Sequence, residues 1–492
     1  MAVIGAGQVS AKLIEELRRK PKLGLKPVVV FDDDRSKWGL RIHGVPIIAA
    51  PEALPESAER YGVREVLLAM PSATNLRLRE IVRLCHTAHL RCVTVPSTEQ
   101  LATGNVEVTN LKEVAIEDLL GRAAIAMEGG VVLQSLRDRV VLITGGGGSI
   151  GSELCRQVAS CNPRLLLVLD QSEPSLFQIE QELLEAYPAA MLQPLVANVL
   201  DEERMRTIFE EFRPEIIFHA AAHKHVPMME SQPGEAIKNN AFAARLLVQM
   251  ASEFAVERFV LISTDKAINP TNAMGASKRM AEIYMQAWQQ AHGGSTRFAA
   301  VRFGNVLGSS GSVIPIFKKQ IAAGGPVRVT HPDMVRYFMT VGLVLRSGSM
   351  AKGGEIFVLD MGKPVRIVDL AVQLIELSGL TPGRDIEIEF TGLRPGEKLF
   401  EELGHSGEDI AATAHERILR FTGPAGSFAA VEDHFRKMLY SLADSRPMTL
   451  KQMMKELIPE YRVFGASASN HYKVPMGPPG VRLDESFVLQ EA

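Results

Sequence analysis

Sulfur is scarce in this chain. Four cysteines occur in 492 residues, Cys85, Cys92, Cys155 and Cys161, and none has CxxC or zinc-ligand spacing. They read as buried thiols in a reducing cytosol. Long apolar runs are also missing; none approaches the ~18 residues that cross a bilayer. No signal peptide opens the chain, which begins with hardly any leader on "AVIGAGQVS". Excess charge is absent as well: 54 Lys and Arg face 57 Asp and Glu, a formal charge of −3 without a basic block. That argues against a nucleic-acid partner. His223 and His225 alternate with Lys224 and lack metal spacing, so no metal site is expected. What remains is the balance of a globular protein, 46% hydrophobic and 23% charged. At about 150 residues per domain, the length suggests two or three domains.

Two glycine-rich turns stand out. "AVIGAGQVSAKLIEELRR" reads as strand, turn and helix, with Ala11, Ile14 and Leu17 at roughly helical spacing. The strand "KPVVVFDDD" ends in acids about 25 residues on, but Ser10 stands at the third glycine position. "REVLLAMP", "NLRLREIVRLCHTAH" and "RCVTVP" continue a short doubly wound unit that ends near Arg122. The turn alone leaves open whether this unit binds a dinucleotide or serves as a scaffold.

"RVVLITGGGGSIGSELCRQVA" is the stronger version. Gly145, Gly148 and Gly151 are spaced TGxxGxxG, and a helix is expected from about Ser149. Such a turn lets the backbone close on a pyrophosphate at a helix N-terminus. Asp170 ends the next strand, nineteen residues after Gly151, where a carboxylate reaches ribose hydroxyls. No Arg follows it, which favours NAD over NADP. Strands "MLQPLVANV", "EIIFHAAA", "RFVLIST" and "RFAAVRFGNV" then alternate with helices, as in a parallel sheet. The expected fold is α/β, with two doubly wound Rossmann-type domains and a smaller C-terminal substrate-binding lobe on the second. The expected boundaries are 1–122, a linker over 123–137, a catalytic unit over 138–470 and a disordered tail over 471–492.

The strand ending near Ser263 puts Thr264, Asp265 and Lys266 past its carboxyl end, where ligands of open α/β sheets bind. Met274 and Lys278, four apart on the next helix, share a face toward that crevice. TGGGGSIG, "HAAAHKHVP", "STDKAINPTNAMGASKR", "RFGNVLGSSGSVIP", "HPDMVRYFMT" and "GLRPGEKLFEEL" together resemble the nucleotide-sugar 4,6-dehydratases of polysaccharide and glycan biosynthesis. These are extended short-chain dehydrogenases/reductases that act on UDP-N-acetylglucosamine with NAD. The resemblance runs to about Phe421 and is closest to the large, membrane-anchored branch, in which Met replaces the catalytic Tyr.

The resemblance implies Asp265 as acid and Lys266 as base in eliminating water across C5 and C6. Thr264 is expected on the C4 hydroxyl, with Asp265 taking its proton. Met274 is expected to pack against sugar or nicotinamide, and Lys278 to hold the nicotinamide ribose. As a base Lys266 must be neutral, so its pKa is expected to be lowered by burial and nearby cations. The remaining cofactor residues implied are Gly145, Gly148, Ser149, Ile150, Gly151, Asp170, Asn198, Val199, Ala220, Ala221, Ala222, Lys224 and Asn240. Substrate contacts are implied for His225 and Asn305, a diphosphate clamp for Arg336 and Arg394, and a uridine-ribose contact for Glu397. A UDP-sugar substrate and a homo-oligomer are the partners implied, with no nucleic acid and no membrane span in this chain. The compartment implied is the cytoplasm, at the inner membrane face if N-terminal helices precede this chain.

Two departures from the family pattern stand out. Asn198 replaces a usual Asp, and "RYFMTVGLVLRSGSM" is about four residues shorter than in relatives, removing one helical turn beside the Arg336 loop. Alternative readings are an epimerase, a dehydratase that inverts C5, or a non-catalytic NAD- or nucleotide-sugar-sensing protein.

Overall fold

The computed structural model describes residues 1–94, 112–113, 129–402 and 410–464, apart from 22, 23, 72, 310, 340, 424, 425, 444 and 445. The end of the first expected domain and the expected tail over 471–492 therefore lie outside the described residues.

The first domain starts with β1 (Ala2–Ile4), fully buried. Gly5 turns the chain at φ +100°, a conformation side chains avoid. Ser10 then closes the turn, its buried Oγ donating to the Gly5 carbonyl at 2.5 Å. Helix α1 (Gln8–Arg19) buries Leu13, Ile14 and Leu17. Next come β2 (Val29–Phe31), β3 (Arg41–Ile42), β4 (Val45–Ala49), α2 (Leu54–Arg60), β5 (Glu65–Leu68), α3 (Asn75–Thr87), β6 (Arg91–Thr94) and β7 (Lys112–Glu113). The sheet order is β3-β4-β2-β1-β5-β6-β7. The β3–β4 hairpin escapes the sequence reading. Its two turn residues, His43 and Gly44, both have positive φ, as a type I′ turn needs, but His is not a usual signal for one.

The second domain contains α4 (Gly129–Leu136), β8 (Val140–Thr144), α5 (Ser149–Ala159), β9 (Leu165–Asp170), α6 (Glu173–Ala186), β10 (Leu192–Val196), α7 (Glu202–Phe212) and β11 (Ile216–His219). After α8 (Val226–Ser231), α9 (Pro233–Ala236), a π-helical turn (Ile237–Phe242) and α10 (Ala243–Glu253) come β12 (Arg258–Ile262), α11 (Ala273–His292) and β13 (Arg297–Arg302). Short β14 (Asn305–Val306), α12 (Val313–Ala322), β15 (Val327–Val329), β16 (Val335–Arg336), β17 (Phe338–Met339) and α13 (Gly342–Met350) lead to β18 (Glu355–Leu359). The rest is β19 (Val365–Arg366), α14 (Ile367–Leu377), β20 (Ile388–Phe390), β21 (Ile410–Ala412), β22 (Ile418–Phe421), α15 (Phe428–Ser441) and α16 (Pro447–Leu457).

The main sheet runs β10-β9-β8-β11-β12-β13-β18-β22-β21, parallel through β18. Its central strands are apolar runs because helices cover both faces. Met280 and Tyr284 of α11, with Leu247, Phe435 and Met454, pack on one face. Leu154, Val158, Ile179, Leu183 and Leu343 pack on the other. Each such side chain contributes about 1.5–3 kcal/mol by leaving water. The strand order reverses direction between β8 and β11, and the crevice opens there.

The structure adds two placements to the sequence reading. The expected linker over 123–137 carries α4, whose Val132 and Leu136 join the main core. The first domain does not hang free: Ile81, Val82 and Cys85 share one apolar core with Phe317, Leu370 and Leu374 of the lobe. An Arg83–Glu376 ion pair at 3.2 Å borders it. The shortened stretch still forms α13, with Leu343, Val344 and Leu345 buried; Thr340 lies outside the described residues. Among the described residues, no helix is long and apolar enough to cross a membrane.

Candidate active site

The second glycine turn is set by close packing. At Gly151 a Cβ would lie 1.9 Å from the Gly145 carbonyl oxygen. At Gly145, with φ +71°, it would lie 2.5 Å from the Ala221 amide. The turn therefore has no room for side chains and leaves the N-terminus of α5 bare. Asp170 braces it, its Oδ2 accepting from Gly147 N at 3.0 Å and its Oδ1 from Ser172 N at 2.9 Å.

A cleft of about 1750 Å³ runs from this turn into the lobe. Gly145, Gly148, Ser149, Ile150, Gly151, Asp170, Ala220, Ala222 and Lys224 line it. Ala221 and Val199 line an adjoining recess of about 130 Å³. Two expected cofactor residues are not among those that line the cleft or the recess. Asn198 is exposed and closes its own turn by accepting from Leu200 N at 2.9 Å. Asn240 is fully buried, bonded to both main-chain groups of His223 and to Ser277 Oγ. It ties the HAAAH loop to α11 and has no group left for a ligand.

Past β12 the chain makes a 3₁₀ turn over Asp265–Ala267. It packs so tightly on α11 that a Cβ at Gly275 would lie 2.1 Å from the Lys266 carbonyl oxygen. Asn272 caps α11, accepting from Gly275 N at 2.8 Å. Thr264 Oγ1 donates to Asp265 Oδ1 at 2.9 Å, and Lys266 Nζ donates to the same oxygen at 2.9 Å. Asn305 Oδ1 accepts from Lys266 Nζ at 3.2 Å. Thr264, Lys266, Asn305, Met274 and Lys278 all line the cleft. Asp265 lies behind them, fully buried, with Oδ2 lacking a hydrogen-bond partner among the described residues. Among the described residues, the cleft-lining side chains bonded to it are Thr264 and Lys266.

The charge on Lys266 corrects the sequence reading. Burial opposes its ammonium, but Asp265 and then Glu401 outweigh burial and the opposing Arg336, and its pKa stands above the ordinary lysine value. The expected depression is found instead at Lys278, where burial is the main cause and the pKa is pushed down to about 8, partly offset by Glu282. Lys278 Nζ donates to the Ile262 carbonyl at 2.9 Å. Met274, 4% exposed, packs with Val226, Met229 and Ala236.

On the lobe side, His225, Arg336, Arg394 and Glu397 line the cleft. Burial lowers the His225 pKa, helped by the cations Lys224 and Arg394. The two arginines do not form a matched clamp here. Arg336 donates to the carbonyls of Val335, Leu399 and Lys398 at 2.7, 3.3 and 2.8 Å, pinning the "EKLFEE" segment. Arg394 stays near the surface, paired with Glu397 at 2.7 Å. Sequence reasoning gives no role to Glu401, which lies 3.6 Å from Lys266 Nζ. Its only sequence signal is membership of the quoted "GLRPGEKLFEEL".

The cleft fits a dinucleotide at one end: a side-chain-free cradle, an open helix N-terminus and a strand-end carboxylate converge there. Comparisons with known proteins agree with this architecture. The family model described as "Polysaccharide biosynthesis protein" matches residues 141–423, and one described as "CoA-binding domain" matches residues 1–96. The chain is similar to the capsular polysaccharide biosynthesis protein CapD of Staphylococcus aureus, 46% identical over 85% of this chain and 70% of that protein. It is also similar to an inverting UDP-N-acetylglucosamine 4,6-dehydratase of Campylobacter jejuni, 33% identical over 53% of this chain and 76% of that protein. Among solved structures, Pen from Bacillus thuringiensis superposes with a TM-score of 0.53 at 32% identity, over 59% of this chain and 91% of that one. With a family model spanning more than half its length and a relative matched along most of both chains, the chain belongs to the polysaccharide biosynthesis protein family of extended short-chain dehydrogenases/reductases.

Proposed function

We propose that this protein is an NAD-dependent nucleotide-sugar 4,6-dehydratase that converts a UDP-N-acetyl-hexosamine, UDP-N-acetylglucosamine first, to its 4-keto-6-deoxy form. The observation that carries the reading is the Thr264–Asp265–Lys266 cluster. It stands at the carboxyl end of β12 and opens into the cleft that begins at the second glycine turn. Similarity to the Campylobacter jejuni dehydratase supports the substrate class.

Gly145, Gly148 and Gly151 with the α5 N-terminus would hold the pyrophosphate, and Asp170, with no Arg after it, favours NAD. Bound there, NAD would take a hydride from C4 of the sugar and return it at C6. Thr264, which opens on the cleft and donates to Asp265, passes the C4 hydroxyl proton inward to that carboxylate. Neutralising Asp265 removes the nearest counter-charge of Lys266, so burial then favours the amine, which releases its proton toward the open cleft. The amine takes the C5 proton, now acidified by the neighbouring ketone, and Asp265 returns its proton, through Thr264, to the C6 hydroxyl, which leaves as water. The Lys266 ammonium, its protons exchanged with solvent, then protonates C5 as the hydride reaches C6, and the amine recovers from solvent the proton it first released. Met274 brings no ionisable group and shapes an apolar wall. Lys278 is the expected ribose contact.

The test is incubation with UDP-N-acetylglucosamine in deuterated water, followed by NMR. The expected product is the 4-keto-6-deoxy sugar with deuterium at C5. A C4 epimer, or recovery of the unchanged sugar, would overturn the reading. The configuration at C5 separates retention from the inversion in the Campylobacter protein's name.

A further inference from the structure

Two carboxylates stand beside the Lys266 amine, and the reaction above uses only one. Asp265 Oδ1 is 2.9 Å from its Nζ, and Glu401 Oε1 is 3.6 Å from it. The Glu401 side chain is 2% exposed. Its Oε1 is 3.8 Å from Arg336 Nε, and its Oε2 is buried without a hydrogen-bond partner among the described residues. A carboxylate so placed carries a desolvation penalty and is offset, among the described residues, by Arg336 and Lys266. Arg336 is the cation that opposes the two carboxylates at Lys266, while two other lysines of the cleft have partners of their own: Lys278 the Ile262 carbonyl, and Lys398 the Ile268 carbonyl and Glu402.

We propose that Glu401 is a positioning residue of this site: its buried carboxylate, beside the Lys266 amine with Asp265, aims that amine and sets the pH at which it becomes a base. The proposal rests on the reading of Lys266 as the C5 base. Arg336 has a matching part. By holding the carbonyls of Lys398 and Leu399 it fixes the backbone that carries Glu401. When Asp265 takes the C4 proton, Glu401 is the carboxylate that remains beside Lys266. Removing its charge makes the ammonium easier to lose and the amine a weaker, less well aimed base.

The direct variant is Glu401→Gln, with Glu401→Asp as the conservative partner. In Glu401→Gln the acid limb of the kcat–pH profile should move down by about one pH unit or more, the usual effect of losing a nearby opposite charge. The plateau rate should fall by about 10-fold or more, a fraction of what losing a general base removes. Glu401→Asp should bring the limb back toward wild type. A second readout is independent of turnover: acetylation of Lys266 by acetic anhydride across pH in the full chain, read by peptide mass spectrometry. Its midpoint should fall in Glu401→Gln. A plateau loss equal at every pH with an unmoved labelling midpoint would overturn the proposal and leave Glu401 a structural residue. If wild-type protein fails to convert UDP-N-acetylglucosamine while the labelling midpoint still moves, the reaction reading falls and the Glu401–Lys266 coupling stands.

Discussion

The two glycine turns of this chain share one plan and differ in what they leave open. In both, a strand-end aspartate accepts from a turn amide and from the amide two residues ahead of itself. Asp32 accepts from Ala6 N at 2.5 Å and Asp34 N at 2.9 Å; Asp170 accepts from Gly147 N and Ser172 N. In the first turn, however, Lys37 also holds Asp32 at 3.1 Å, and Ser10 stands where the second turn has Gly151. The first turn accommodates a side chain at that position and the second excludes one. Both turns are closed at their first glycine, where a Cβ would lie 2.7 Å from Met70 Cγ at Gly5 and 2.5 Å from the Ala221 amide at Gly145; they part at the later positions, since a Cβ at Gly7 would meet nothing within 4 Å and one at Gly151 would lie 1.9 Å from a carbonyl oxygen.

Substitutions in the two domains sharpen that contrast. The largest effect belongs to Gly151→Ala, where the added methyl group must displace the Gly145 carbonyl. NAD released from heat-denatured protein should fall to background, an affinity loss of about 100-fold or more, roughly 3 kcal/mol. Wild-type NAD content would contradict the cradle.

Lys278 gives the second domain a pH response of its own. Its folded pKa of about 8 lies below the unfolded lysine value of roughly 10.4. Between those values the unfolded chain binds more protons, so stability from this group rises with pH through that window. The gain approaches about 3 kcal/mol by the top of the window. Lys278→Met should flatten the rise; denaturant midpoints at pH 7.5 and pH 10 in both proteins measure it.

Asp170→Ala should weaken NAD binding by about 10-fold or more, as loss of hydrogen bonds to a charged group does. It should also relax the preference against NADP. Asp32→Ala should leave NAD content unchanged. The smallest effect is expected at Gly7→Ala, within about 0.5 kcal/mol in stability and with full NAD content. A loss of NAD there would place the cofactor in the other turn.

What can be read from sequence is local. TGxxGxxG, the apolar strands and the four-residue step from Met274 to Lys278 depend on neighbours in the chain, and each lies where its spacing puts it. The rest depends on contacts between distant segments. Nothing near Ile81 announces Leu370 as its packing partner, so the docking of the first domain on the lobe is invisible in the sequence. Asn240 carries an amide that would suit a ligand equally well, but His223 and Ser277 take its bonds. Arg336 reads as free for a phosphate because the main-chain carbonyls it binds leave no trace in a motif. The charge of Lys266 turns partly on Glu401, 135 positions away in sequence and 3.6 Å away in space.

The central claim, that Lys266 is the base of a sugar dehydration run from the second turn, is tested most directly by Lys266→Ala. The measurement is solvent deuterium entering C5 of UDP-N-acetylglucosamine, followed by NMR beside formation of the 4-keto-6-deoxy product. The account predicts a loss of about 10²–10⁴-fold in both rates, with NAD content and UDP-sugar affinity retained. Unchanged turnover in Lys266→Ala would contradict it and return the Asp265–Lys266 pair to a structural turn.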